Sequence, residues 1–160
     1  MQQLSSATRG ARPLRGCCSL GPAQITLRWG RNQSTCLTSQ GFASRGFYDE
    51  TQAVVRYAQK TAIAWRRTIV VCVEADKLSA ISNSDCNAPV YVPHPANPAN
   101  PLKTQAAPSG VTLTSTSGSS FSFDGLGRPS AATTITLNST NTDDPARVII
   151  VATETGYVYH

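Results

Sequence analysis

The chain has 160 residues and a formal net charge of +5, with only 14% of residues charged. That length fits one domain able to bury a core, and low charge with abundant Ser, Thr, Gly and Pro fits an extracellular β-rich surface better than a cytosolic enzyme. The charge is not by itself a sign of nucleic acid, because Arg9, Arg12, Arg15, Arg28 and Arg31 supply the excess and the rest of the chain carries as many bases as acids.

Residues 1–40 hold no Asp, Glu or Lys and no hydrophobic period, and no apolar run of secretory type follows their first basic residues. They are expected to be an unpatterned basic segment, unpacked up to about Gly41, and the globular domain is assigned to residues 41–160. Two origins fit such a composition: a shifted reading frame in GC-rich DNA, or a disordered basic tail.

The stretch Gly46–Val73 organises the rest of the chain. Thr51, Val54, Val55, Ala58, Ala62 and Trp65 recur at spacings of three and four, which places them on one face of a helix spanning about Tyr48 to Arg66. Asp49 is expected as the N-cap or an acid of its first turn and Arg66-Arg67 at its end, the charge order that the helix dipole favours. Burial of that face makes Ala58→Asp disruptive, while Gln59→Asp on the opposite side is expected to be mild. The period then changes at Thr68–Val73, a continuous β-branched run that reads as a buried strand.

Lys77–Ile81 reads as a second strand, followed by the turn Ser82–Asp85. Cys72 and Cys86 flank this hairpin. In an oxidising compartment they are expected to form a disulfide, which the chain-entropy model values at roughly 3 kcal/mol; the alternative is two free thiols. The five cysteines match no common zinc spacing. Val90–Val92 is at most a short strand. Pro93–Pro108 is too rich in proline for a buried sheet strand and is expected to be a surface loop. Val111–Ser115, Phe121–Phe123, Thr133–Leu137, Arg147–Val151 and Gly156–Tyr159 complete the set, with turns at Asp124–Gly127 and Thr153–Gly156. One helix followed by an antiparallel run is an α+β layer, a helix laid on a sheet of six or seven short strands.

The run from Arg45 to Val73, RGFYDETQAVVRYAQKTAIAWRRTIVVCV, resembles the start of the globular part of minor pilins from type IV pilus-like machines. The nearest group is the GspH/FimT type, especially minor pilins of mannose-sensitive haemagglutinin pili. The far end agrees: Phe121–Pro129 is similar to the group's FxFxxxGRP segment, and Glu154–Val158 to its terminal ETGYV strand. The resemblance implies a pilin-like fold and a non-enzymatic minor pilin or pseudopilin that assembles, primes or caps a type IV pilus or type II secretion filament. Implied partners are other pilin or pseudopilin subunits and the assembly platform. The implied location is the inner membrane and periplasm, or a surface pilus, of a Gram-negative bacterium. Phe47, Tyr48, Glu50 and Val54, with the proline loop, are the expected subunit contacts. Members of the family begin with a glycine–phenylalanine cleavage site and about twenty apolar residues, enough to span a bilayer. Here Gly46-Phe47 and Glu50 are followed by polar Thr51 and Gln52, so the membrane is a partner only if the native gene product carries that helix.

No nucleophile elbow, phosphate-binding loop, dinucleotide fingerprint or zinc-protease motif is present. His94 lies in the proline loop and His160 is the last residue, so no histidine-centred catalytic pair is expected. Asp143-Asp144 with Asn138 and Asn141 is rich in oxygen but lacks the EF-hand spacing. No cofactor or metal is therefore assigned. Some pilins of this group bind DNA, and Arg56, Lys60, Arg66 and Arg67 are the residues that would do so here. A DNA-capturing pilin and a secreted adhesin-like β domain are the two rival readings.

Overall fold

The structure, a computed structural model, describes residues 39–160. Helix α1 spans Ser39–Trp65. Seven strands come after it: β1 Ile69–Val73, β2 Leu78–Ile81, β3 Val111–Ser115, β4 Ser120–Phe123, β5 Thr133–Ser139, β6 Arg147–Val151 and β7 Val158–Tyr159. They form two antiparallel sheets rather than the one expected, ordered β2-β1-β4 and β3-β5-β6-β7. In the first, Ile69 pairs with Phe123 across the intervening chain; in the second, Leu113 pairs with Leu137 and Ile135 with Ile149.

The core lies between α1 and the sheets. Phe47, Val54, Val55, Ala58 and Ala62 form the helix stripe, facing Ile69, Val71, Leu78, Phe121, Phe123, Ile135 and Ile149. Small residues at 58 and 62 let the helix approach closely. Thr51, also fully buried, satisfies its hydroxyl by donating to the Phe47 carbonyl at 2.7 Å.

Three expectations change. The helix begins well before Tyr48, so Asp49 and Glu50 sit inside it and not in its first turn. Glycine weakens a helix, yet α1 runs through Gly41 and Gly46 where tertiary contacts support it: Phe47 is buried, and Ser44 donates to the Asp144 carboxylate a hundred residues away. Most of residues 1–40 lies outside the described residues, and 39 and 40 already belong to the helix. Trp65, expected in the buried stripe, is 42% exposed. The helix closes there: Arg67 N donates to Ala62 O and Arg66 N to Ile63 O, with Arg66 at φ 49°. These are the two bonds of a Schellman turn, so the next helical position no longer faces the sheet.

The proline stretch is not a plain surface loop. Val92, Leu102 and Thr104 are buried. Ala80 N donates to Leu102 O, Val92 N to Ala80 O, and Thr104 N to Leu78 O, which extends the edge of β2. Prolines fall where no ladder donor is needed, and the apolar residues between them pack inward. Cys72 and Cys86 are joined by a disulfide, with Cα atoms 5.9 Å apart, tying β1 to the start of this excursion.

Candidate interaction surfaces

The two terminal motifs meet at one point under the helix. In Phe121–Pro129 the two phenylalanines enter the core, with ring centroids 5.5 Å apart. Asp124 Oδ1 then accepts from Leu126 N and Arg128 N and closes the turn. Gly125 lies against the backbone of Arg66 at the helix end, and a Cβ there would sit 2.9 Å from its carbonyl carbon. Gly127, at φ +82°, lies under Ile63, and Gly156, at φ +66°, leaves a Cβ no room beside the Gly127 carbonyl oxygen. From α1, Gln59 Nε2 donates to Gly127 O at 3.1 Å and to Thr155 O at 3.0 Å. One side-chain amide therefore fastens a turn of the first sheet to a turn of the second. Ile63, Leu126 and Tyr157 flank this junction and remain exposed, and Tyr157 stacks on Tyr159 at 6.0 Å. The motifs were legible in the sequence; their meeting at Gln59 was not.

The expected contact residues divide. Phe47 and Val54 belong to the buried stripe and are unavailable to a partner, because they lie at helical spacing with Val55 and Ala58. Tyr48 and Glu50 are half-buried. Glu50 Oε1 accepts from Gln105 N at 3.0 Å, joining α1 to the proline excursion. Ahead of them, Phe42, Ala43, Arg45 and Gly46 are exposed, with Phe42 at 65%.

A groove of about 540 Å³ runs between α1 and β6, lined by Arg45, Tyr48, Asp49, Gln52, Ala146, Arg147, Val148 and His160. Arg147 Nη2 pairs with Asp144 Oδ1 at 3.0 Å, and the guanidinium lies over the Tyr48 ring at 6.0 Å. Tyr48 donates to Val148 O at 3.3 Å. Burial raises its phenol above the ordinary value of 10.0 and Asp49 adds to the rise, while Arg56 and Arg147 oppose it. The Asp144 carboxylate is thus engaged by Ser44 and Arg147, and Asn141 Oδ1 by Asp143 N. Among the described residues no group of three His, Cys, Asp or Glu side chains is placed to hold a metal ion.

The basic residues also divide. Arg56 donates to Val158 O at 3.1 Å and so covers the edge strand β7. Lys60, Arg66 and Arg67 are exposed, with Trp65 beside the last two. Among the described residues no helix is long and apolar enough to cross a membrane.

A helix laid on antiparallel sheets and fastened to them at a glycine junction is a pilin-type architecture. The sequence model of the family described as type II transport protein GspH matches residues 49–155, more than half of the chain, and the chain belongs to that family. No curated protein sequence matches it significantly. Among solved structures it is similar to the type IV minor pilin FimU of Pseudomonas aeruginosa, at 18% identity and a TM-score of 0.58, over 76% of this chain and 90% of that one. It is also similar to the minor pseudopilin EpsH from the type 2 secretion system of Vibrio cholerae, at 10% identity and a TM-score of 0.57, over 73% and 94%. These likenesses establish the pilin fold. The family is a structural, pilin-type one of minor pilins and pseudopilins; it implies assembly with other pilin subunits at a periplasmic or pilus-associated site in a Gram-negative cell.

Proposed function

We propose that this protein is a non-enzymatic minor pilin or pseudopilin that helps assemble, prime or cap a type IV pilus or type II secretion filament. The observation that carries the reading, beyond family membership, is the leading end of α1. There Phe42 stands exposed beside Ala43 and Gly46, with Arg45 next to them, an apolar and small-residue patch that stays open among the described residues. Tyr48 and Glu50 continue it, and the Glu50–Gln105 bond carries it onto the proline excursion. Filament neighbours and the assembly platform are the partners this surface suits. Deleting the gene is expected to reduce the number of filaments per cell, or secretion through the filament, without changing major-subunit levels. Restoring the wild-type gene recovers the phenotype and Phe42→Asp does not. Unchanged filaments and secretion after deletion would reject the role.

Exposed Trp65 favours a second reading. It supplies an exposed aromatic beside Arg66 and Arg67, with Lys60 exposed on the same helix, and aromatics with cations are the groups that hold nucleic acid. DNA capture by this end of the helix requires affinity that falls with salt. It also requires that Arg66→Ala with Arg67→Ala weaken it; anisotropy at low salt with no binding would remove the reading.

A further inference from the structure

The leading turns of α1 are weak as a helix and are held by one polar contact. From Ser39 to Gly46 the sequence is SQGFASRG, with two glycines and two serines, residues that favour a helix less than alanine does. Phe42, Ala43, Arg45 and Gly46 are exposed, and Ser44 alone of residues 41–46 is buried. Its hydroxyl donates to Asp144 Oδ2, and among the described residues no other side-chain hydrogen bond ties residues 41–46 to the sheets. Asp144 stands in the connection between β5 and β6. There its N–H donates to Asn141 O at 3.1 Å and its Oδ1 accepts from Arg147 Nη2 at 3.0 Å. The carboxylate is thus fixed from the sheet side, independently of Ser44.

Ser44 can let go without leaving an unpaired group. Its hydroxyl also lies 3.2 Å from Gly41 O, the back-bonded position open to a helical serine. Asp144 keeps Arg147 while its Oδ2 turns to water. Packing adds little here, because a cavity of about 10 Å³ borders Ser44, Val111, Leu137 and Arg147, and the lining of a void lacks contacts on one side. From Phe47 onward the attachment changes. Phe47 is in the core, Thr51 donates to its carbonyl, and Tyr48 donates to Val148 O.

We propose that Asp144 is a clasp for the leading turns of α1, and that residues 39–46 unwind and rewind as a unit while the helix from Phe47 onward stays docked. Phe42 and Gly46 are four residues apart and share a face only while that segment is helical. The clasp therefore also sets when the exposed Phe42 patch is presented as one surface. Its action does not depend on what binds that patch.

Native-state hydrogen exchange on the full chain, followed by NMR, tests this. In a helix that starts at Ser39 the amides of Ala43 to Gly46 bond back to residues 39–42, so their protection reports the segment. Their protection factors are expected to be at least tenfold below those of Val55 and Ala58, and unchanged by low urea, because a local opening exposes little surface. Ser44→Ala should lower them by about tenfold more, the effect of losing a hydrogen bond to a charged group, and leave Val55 and Ala58 within about twofold. Alanine is the better helix former, so without the clasp the same change would raise protection. Asp144→Asn should act in the same direction, and combining the two should lower protection at 43–46 no further, since both remove one contact. Protection in the segment equal to that of Val55, with the same urea dependence, overturns the independent opening. Protection unchanged or raised by Ser44→Ala overturns the clasp. An equal fall at 43–46 and at Val55 and Ala58 makes Ser44 part of the global fold and overturns both. If Asp144→Asn fails to fold, Ser44→Ala decides alone.

Discussion

The side-chain amide of Gln59 donates to the carbonyl oxygen of Gly127 at 3.1 Å, and its second hydrogen goes to Thr155 O. A half-buried helix residue thus closes the seam between two sheets. Gln59→Ala leaves two carbonyls without their donor and is expected to cost about 1–3 kcal/mol. Gln59→Asp, which helix periodicity alone marks as mild, sets a carboxylate against those same oxygens and should cost at least as much. Urea denaturation of both variants checks this, and a loss within about 0.5 kcal/mol for either, the range of an ordinary surface change, would contradict it.

Gly156 gives a sharper case. Its φ of +66° and the Gly127 carbonyl beside it leave no place for a methyl group. Gly156→Ala should destabilise by about 3 kcal/mol or more. Gly118 has a similar φ of +79° but open space around it, so Gly118→Ala should cost only the left-handed conformational penalty, about 1 kcal/mol. The difference between the two melting shifts isolates the contact from the backbone preference.

The helix end makes the opposite prediction. Arg66 occupies a left-handed position, φ 49°, that glycine fills more easily. Arg66→Gly should therefore stabilise the domain by about 0.5–1 kcal/mol, seen as a higher melting temperature. Loss of stability would mean that the arginine side chain contributes more than its backbone strain removes.

The disulfide is the fourth test. Cys72 and Cys86 are 14 residues apart in sequence, and closing such a loop stabilises by about 3 kcal/mol in the chain-entropy model. Reductant, or Cys72→Ala with Cys86→Ala, should lower the denaturation midpoint accordingly while the pairing of β2 with the Val92 and Leu102 segments persists in amide exchange.

Local pattern carried much of this fold. Val54, Val55, Ala58 and Ala62 lie at helical spacing and are buried, and Val111–Ser115 alternates as a half-buried strand should. Most of the failures involve contacts distant in sequence, whereas the exposure of Trp65 follows from the local turn that closes the helix. The start of α1 depends on Ser44 meeting Asp144, and the division into two sheets on β1 pairing with β4 across about fifty residues. Leu102 and Thr104 are buried because they return along β2, which proline density obscured. Of the expected contact residues, Phe47 and Val54 fell in the core because their helical spacing to Ala58 outweighs their place near the expected helix start. The groove between α1 and β6 had no sequence signal, since neither Gln52 nor Arg147 is unusual until the fold places both beside it.

The most direct test of the filament reading is quantitative mass spectrometry of filaments sheared from cells that express this protein at native level. The expected result is a small, reproducible amount in the filament fraction, far below the major subunit, that disappears when the major subunit or the assembly ATPase is deleted. Recovery of the protein only in the soluble periplasmic fraction, unchanged by either deletion, would contradict it.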